Sequence, residues 1–363
     1  MASNQRQKAG DHSEQYQAET IIKLDGISEE RVHSIVDDQC SRAMQNCILE
    51  SQLIVERRIS EFKTELYGSI FSRPELISAL QEPACVDSLT RAAKAATKTN
   101  EQWDEKLLAE LLVKRFENPN NRHIATGVNR AIDVVDSLTK EELTGLTVYF
   151  AVNQYSPVSP IISTGFDVME KIFSVIAVGE LPSGDEWIDN LDILDALRTT
   201  QFTSLKPLVD YYFDALSGYT ICGVPIGSEE EHLALQLLNE AGVPNDLLIN
   251  HELNPGYRRP VLRNLDEANQ LRIVNRANGQ STETNLNDEQ VDAVHKVIDL
   301  CSSDERTDII KSNLAAEIEK RPYFSKVSNW WASISSAPRI TTVGKCLASA
   351  NARRLDPTLP DIE

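Results

Sequence analysis

From Ser28 to Leu66 the chain contains no glycine and no proline, and its apolar or small residues recur at helical spacing. They are Val32, Val36, Cys40, Ala43, Cys47, Ser51, Val55, Ile59, Phe62 and Leu66. The steps between them average roughly 3.8 residues, close to the helical period, so one long helix carries them as a slowly turning apolar stripe. Ser28 has the chemistry of an N-cap, and Glu29 and Glu30 fall in the first turn, where the helix dipole favours acids. Such a helix runs about 58 Å, too long to be buried from end to end on a small core. The mean step exceeds the 3.5 of a heptad seam, which argues against a left-handed coiled coil. The spacing predicts a helix lying across a domain, or an antiparallel pair of such helices between subunits. Val32, Val36, Val55, Ile59, Phe62 and Leu66 are the expected oligomerisation residues. Cys40 and Cys47 share a helix face and read as small buried hydrophobes.

The rest of the chain repeats the helical pattern in shorter pieces. Residues 1–19 are polar without apolar period and read as a disordered tail. The long helix is assigned to 20–67, with Gly68 ending it and Pro74 opening the next element. A helical core domain is expected over 68–278. Within it, Trp103–Phe116 carries the apolar stripe Leu107, Leu108, Leu111 and Leu112, and Ile161–Val178 reads as a buried helix. Capping boxes stand at Thr139…Glu142, Ser183…Glu186 and Ser228…Glu231. Tyr219–Ile226 is β-branched with glycine and proline, so it reads as a short strand or an extended loop, and Asn245–Pro260 reads as irregular. The polar run 279–288 reads as a linker, leaving 289–363 as a C-terminal helical domain. Many helices and almost no strand pattern give an all-α class, with at most a few short strands near the C-terminal part.

The balance of charge narrows the partners. The 363 residues carry 36 basic and 55 acidic side chains, a formal charge of −19. A field of that sign opposes the approach of nucleic acid and anionic lipid, leaving only a local basic patch to act on phosphates. A protein partner or a second copy of the chain is expected instead. No apolar run is long enough to span a bilayer and the first residues do not form a signal peptide, so the expected location is the cytoplasm. The six cysteines contain no Cys-x-x-Cys and no zinc-ligand spacing.

Motifs that carry chemistry are sparse. There is no phosphate-cradling glycine loop, no nucleophile elbow and no His-Glu-x-x-His; His251-Glu252 lacks the second histidine. Glu-x-x-His, which puts both ligands on one helix face as di-iron bundles require, occurs at Glu30…His33 and Glu229…His232, with Asp292…His295 as a variant. In a chain this acidic the spacing arises readily, since acids belong in first helical turns. Asp167–Lys171 sets a carboxylate pair before a lysine, without the Glu-x-Lys order of metal-dependent nucleases. No catalytic, cofactor-binding or metal-binding residue is assigned. A helical-bundle metalloprotein stays as an alternative.

The C-terminal segment "ISSAPRITTVGKCLASANARR" is locally basic. It reads as a short extended piece at Arg339–Thr342 followed by a helix from Gly344 to Arg354, in the manner of a winged helix. Arg339, Lys345, Arg353 and Arg354 are the candidate nucleic-acid contacts, which makes a nucleic-acid-binding regulator the other alternative. Basic residues at a helix C-terminus are also what the dipole favours. Trp330 and Trp331 read as core or interface anchors rather than base-stacking platforms.

The order of "GISEERVHSIVDDQC", "FSRPELISALQEPACVDSLTRAAKAATKTNEQWDEKLLAELLVKRF", "AIDVVDSLTKEELTGLTVYF", "LDILDALRTTQFTSLKPLVDYYFDALSGY" and the closing "ITTVGKCLASAN" resembles an uncharacterised family of bacterial cytoplasmic helical proteins. The resemblance runs from about Gly26 to Asn351. It brings no activity, cofactor or catalytic residue. It implies a cytoplasmic protein of the kind found in mobile islands beside phage-defence genes, and the closing Thr-x-x-Gly is similar to endings of some abortive-infection proteins. This sequence departs from that pattern in ending on Pro357, Pro360 and an acidic Asp-Ile-Glu. The reading that follows is a non-enzymatic helical interaction protein that assembles through its long helix, in a defence or stress setting.

Overall fold

Helix α1 runs Glu29–Phe71 in a computed structural model that describes residues 29–99, 101–199, 204–277 and 280–360. Ser28 and the 1–19 stretch lie outside the described residues. The chain divides into two units, Met1–Arg57 and Arg58–Glu363, and each is taken by itself.

In the second unit the end of α1 behaves as an amphipathic helix. Phe62, Leu66 and Ile70 are buried and Ile59 packs beside them. Burial of those three side chains is worth roughly 5–9 kcal/mol as an upper figure. That explains why Gly68, which the sequence suggests as a stop, sits inside the helix: its propensity cost of about 1 kcal/mol is small against the anchoring of Ile70 two residues further on. Arg58 donates from Nη1 to the Thr97 carbonyl at 2.9 Å, fixing α1 to the end of the next helix.

Pro74–Gln81 forms a 3-10 turn. The helices α2 (Pro83–Ala96), α3 (Gln102–Glu117), α4 (Arg122–Val134), α5 (Lys140–Gln154) and α6 (Ile162–Ile176) follow. Next come α7 (Glu186–Ile193), β1 (Leu197–Arg198), α8 (Leu208–Ala215), α9 (Ser217–Thr220), β2 (Val224–Pro225) and α10 (Glu229–Glu240). The strands β3 (Leu248–Asn250), β4 (Tyr257–Pro260), β5 (Arg272–Ala277) and β6 (Gln280–Asn285) precede α11 (Asp288–Cys301), α12 (Thr307–Glu319), α13 (Pro322–Trp331), β7 (Arg339–Ile340) and α14 (Thr342–Leu355). The protein is thus mainly α-helical, with a few short strands.

Local chemistry accounts for the helix starts. Thr139 and Glu142 form the expected reciprocal box, Thr139 Oγ1 accepting from the Glu142 N–H at 3.2 Å and the Glu142 carboxylate accepting from the Thr139 N–H at 2.9 Å. Ser228 caps α10 through the Glu231 N–H at 3.2 Å, but Glu231 turns back to the Gly227 N–H and ion-pairs with Arg258 at 3.1 Å. Ser183 does not cap; α7 starts after Asp185, without a side-chain cap. Asn287 and Gln290 make a box at α11. The run 279–288, read from its polarity as a linker, therefore carries strand β6 and a capped helix start.

Two cores lie within the second unit. The larger is helical and has α14 packed among α3, α4 and α5. Small residues let α14 approach its neighbours: a Cβ on Gly127 would stand 2.7 Å from Thr342 Cγ2, and one on Gly344 would stand 2.1 Å from the Ala196 carbonyl oxygen. The smaller core gathers Val224, Ala234, Leu238, Val294, Val297 and Cys301, among others, around the antiparallel sheet β2-β4-β3 with α10 and α11. Tyr219–Ile226, which the sequence offers as a short strand or an extended loop, supplies β2, and Asn245–Pro260, read as irregular, supplies β3 and β4. Arg259 links the two cores. It is fully buried and donates from Nη1 to the carbonyls of Gly218 (3.1 Å), Pro260 (3.0 Å) and Leu262 (3.0 Å), and from Nη2 to that of Pro160 (2.6 Å). Burial pushes its pKa down to about 10.

The C-terminal segment does not build a separate winged helix. β7 pairs antiparallel with β1, matching Leu197 with Ile340 and Arg198 with Arg339, and α14 is central to the main core. The described residues 289–360 therefore belong to the same unit as the preceding helices. The Thr-x-x-Gly at its start has a structural explanation. Thr341 caps α14 by accepting from the Gly344 N–H at 3.1 Å, and it donates to the carbonyl of Asp195 or Ala196 at 2.5 and 3.0 Å. Gly344 clears the space in which that carbonyl sits.

Candidate functional site

Of the residues expected to mediate oligomerisation, the structure separates two groups. Phe62 and Leu66 are buried in the chain's own core, with Ile59 packed against it, so they are withdrawn from any partner. Val55 is exposed; the side chains of Val32 and Val36 lie outside the described ones. Cys40 is exposed, not buried as its spacing suggests, because no core reaches it within the described residues. Its partner in that reading, Cys47, also falls outside the described side chains.

A feature the single-stripe reading missed stands around Val55. Ile48, Leu49, Leu53, Ile54 and Val55 are 52%, 59%, 66%, 41% and 36% exposed. At about 100° of rotation per residue these five positions point to every side of the helix, not to one stripe. Interleaved with Glu50, Ser51 and Gln52, they leave apolar area on several sides that one neighbouring face cannot cover. The signal is in the sequence: Ile48-Leu49 and Leu53-Ile54-Val55 are apolar runs that no single helix face accommodates.

The four candidate nucleic-acid contacts are also divided. Arg353 and Arg354 close α14 inside the protein. Arg353 is 8% exposed and forms a bidentate pair with Glu117, Nη1 at 3.0 Å and Nη2 at 3.2 Å. Arg354 donates from Nε and Nη2 to Asn351 Oδ1, at 3.0 and 2.7 Å. Burial holds the Arg354 guanidinium below its ordinary pKa, against the opposing pull of Asp104. Asn351 in turn donates to Thr147 Oγ1 at 2.8 Å. These groups fasten α14 to α3 and α5, and a phosphate would have to displace an ion pair to reach Arg353. Arg339 and Lys345 line one cavity of about 410 Å3 with Asn121, His123, Ile124, Ile340, Thr341 and Thr342. Two helices open into it, since Asn121 caps α4 and Thr341 caps α14. His123 and Asn121 are the residues sequence reasoning missed there; they are far from the C-terminus in the chain, and only the packing of α4 on α14 brings them in.

The histidine and carboxylate motifs have structural explanations. His251 is buried, its Nε2 donating to the Ile221 carbonyl at 2.8 Å and its Nδ1 accepting from the Leu253 N–H at 3.1 Å. Burial pushes its pKa down to about 4, so it is neutral near pH 7. Glu252 caps α6 from a distance, accepting from the Ile162 and Ser163 N–H groups at 2.6 and 3.3 Å. Glu170 does the same for α13 through Tyr323 and Phe324 at 3.1 and 2.8 Å, while Asp167 pairs with Arg321 at 2.8 Å. His232 bonds the carbonyl of its own helix cap, and Asp292 pairs with Lys296. The side chains of Glu30 and His33 lie outside the described ones. Among the described residues no three or more metal-ligand side chains gather, and no helix there is long and apolar enough to cross a membrane. Trp330 and Trp331 are buried anchors whose Nε1 groups donate to Pro182 and Lys206, each at 2.9 Å.

A protein-family model matches residues 26–360, and its description is a bare "-like" label that names no activity. The chain belongs to that family. No curated protein and no solved structure matches it.

Proposed function

We propose that the protein is a non-enzymatic helical assembly protein whose α1 helices, from several copies of the same chain, pack together along Ile48–Val55. The observation that carries this reading is a band of large apolar side chains, interspersed with Glu50, Ser51 and Gln52, that is exposed on several sides of the helix. Its exposed surface amounts to about two and a half full side chains, worth on the order of 4–8 kcal/mol per copy if buried. Joining a partner costs at least about 4 kcal/mol in lost freedom. A single partner helix covers one face and returns only part of the gain. Two or more neighbours cover the band and return most of it, which favours a bundle of three or more helices over a dimer. The occupant is a second copy rather than a charged partner because residues 46–60 carry Glu50 and Glu56 against Arg57 and Arg58. That segment is neutral in a chain of −19, so copies meet there without the repulsion that opposes them elsewhere.

The setting proposed is the bacterial cytoplasm, within a defence or stress module; its support is the resemblance of the quoted segments. Phage challenge of a host with and without the gene tests that setting. The assembly itself is tested by Leu53→Glu, which buries a charge wherever the band is covered. Sedimentation velocity is expected to give a smaller species for the variant, with the helical content unchanged. A variant that sediments like the parent defeats the reading.

A further inference from the structure

The cavity between α4 and α14 differs from the rest of this acidic molecule in the sign of its lining. Of its eight lining residues, Arg339, Lys345 and His123 are basic and none is acidic, in a chain where acids outnumber Lys and Arg by 55 to 36. The sheet that presents Arg339 adds to this bias. Arg339 stands directly opposite Arg198 in the β1–β7 register, an arrangement in which like charges repel. Arg198 is neutralised by Asp192 at 3.0 Å and Asp195 at 2.5 Å. Arg339 has no carboxylate partner among the described residues and is exposed at the cavity. The starts of α4 and α14 line the same space, and their dipoles add positive potential of the same sign.

We infer that this cavity binds a small phosphate-bearing molecule, with Arg339 and Lys345 as the groups that take the phosphate. A phosphate ester carries close to two negative charges near pH 7 and several acceptor oxygens, which suits two basic side chains converging on one concavity. The volume of about 410 Å3 exceeds what a phosphate fills and leaves room for an attached organic group, within the range of small-molecule sites. A nucleic-acid strand fits less well. Backbone binding relies on a track of many phosphate contacts, and the other two basic residues of this segment, Arg353 and Arg354, are held by Glu117 and Asn351.

Isothermal titration calorimetry on the full chain at low ionic strength tests the inference, with inorganic phosphate, pyrophosphate, adenosine 5′-monophosphate, adenosine and a short single-stranded oligonucleotide as probes. At least one of the three small phosphate compounds is expected to bind, adenosine to give no heat, and the phosphate affinity to fall as salt is raised. Arg339→Ala, at an exposed position that leaves the fold intact, is expected to weaken binding about tenfold or more, and Lys345→Ala likewise. Arg272→Ala, at a surface arginine outside the cavity, is expected to leave it unchanged. No binding of any phosphate compound at millimolar concentration overturns the inference. So does an affinity that Arg339→Ala leaves untouched, or binding of the oligonucleotide alone.

Discussion

Replacing Gly344 by alanine probes the packing that centres α14. The added Cβ would stand 2.1 Å from the Ala196 carbonyl oxygen, 3.0 Å from its carbon and 3.0 Å from Ile340 Cγ2. An ordinary carbon–oxygen contact is more than 1 Å longer, so backbone has to move, not the end of a flexible side chain. The backbone concerned holds the β1–β7 pair and accepts the Thr341 hydroxyl. Overpacking of this kind costs roughly 3 kcal/mol, and the better helix propensity of alanine returns about 1. A net loss of about 2 kcal/mol remains. With an unfolding entropy near 2.1 cal/mol/K per residue, a unit of this size melts about 3 °C lower. Gly68→Ala is the matched control, since no atom lies within 4 Å of the added carbon and α1 continues past it. That variant is expected to gain about 0.5–1 kcal/mol. Calorimetry and urea titration at one fixed protein concentration read both. A Gly344→Ala protein as stable as the parent, or two alanine variants that shift alike, refutes the reasoning.

Further outcomes follow from the buried polar groups. His251 has a pKa near 4 in the folded chain and about 6.5 unfolded. Its contribution to stability is complete above the unfolded value and is lost as pH falls from about 6.5 toward 4, by up to roughly 3 kcal/mol. His251→Gln, compared by urea titration at pH 7 and pH 4.5, is expected to flatten that fall; an unchanged slope rejects the assignment. Arg259→Met leaves four carbonyls without their donor and is expected to cost roughly 3–5 kcal/mol. Arg259→Lys is expected to recover only a part, because one ammonium cannot reach carbonyls spread around a planar fork. Equal stability of the methionine variant in urea contradicts that role.

The helical class was legible because period and capping are local properties. Trp103–Phe116, Ile161–Val178 and Gly344–Arg354 correspond to α3, α6 and α14 within a few residues. What sequence could not supply is which helix face meets which neighbour. Arg353 and Arg354 look like a basic helix end, yet the position of α3 turns Arg353 into an internal tie to Glu117, while Arg354 bonds Asn351 one turn back on its own helix. Arg339 and Lys345 have the same local chemistry, yet the strand pair with Leu197–Arg198 and the packing of α4 leave them around an open cavity. Of the sheet β2-β4-β3, sequence offered only a strand within Tyr219–Ile226, as an alternative to a loop, and read Asn245–Pro260 as irregular, for a related reason. The sheet's strands are two to four residues long, too short for alternation to register. Gly68 and Gly344 make the same point. Both look like helix punctuation in sequence, but one is spare and the other is a close approach. The apolar run at Ile48–Val55 was legible in composition, and a reading confined to a single face passed over it.

The central claim is that copies of this chain assemble through that run. Light scattering coupled to size exclusion measures it directly, on the unmodified chain of 40.5 kDa over a range of concentrations. The account predicts a mass of three or more chains that falls toward one chain in Leu53→Glu. A mass of 40.5 kDa at every concentration contradicts it.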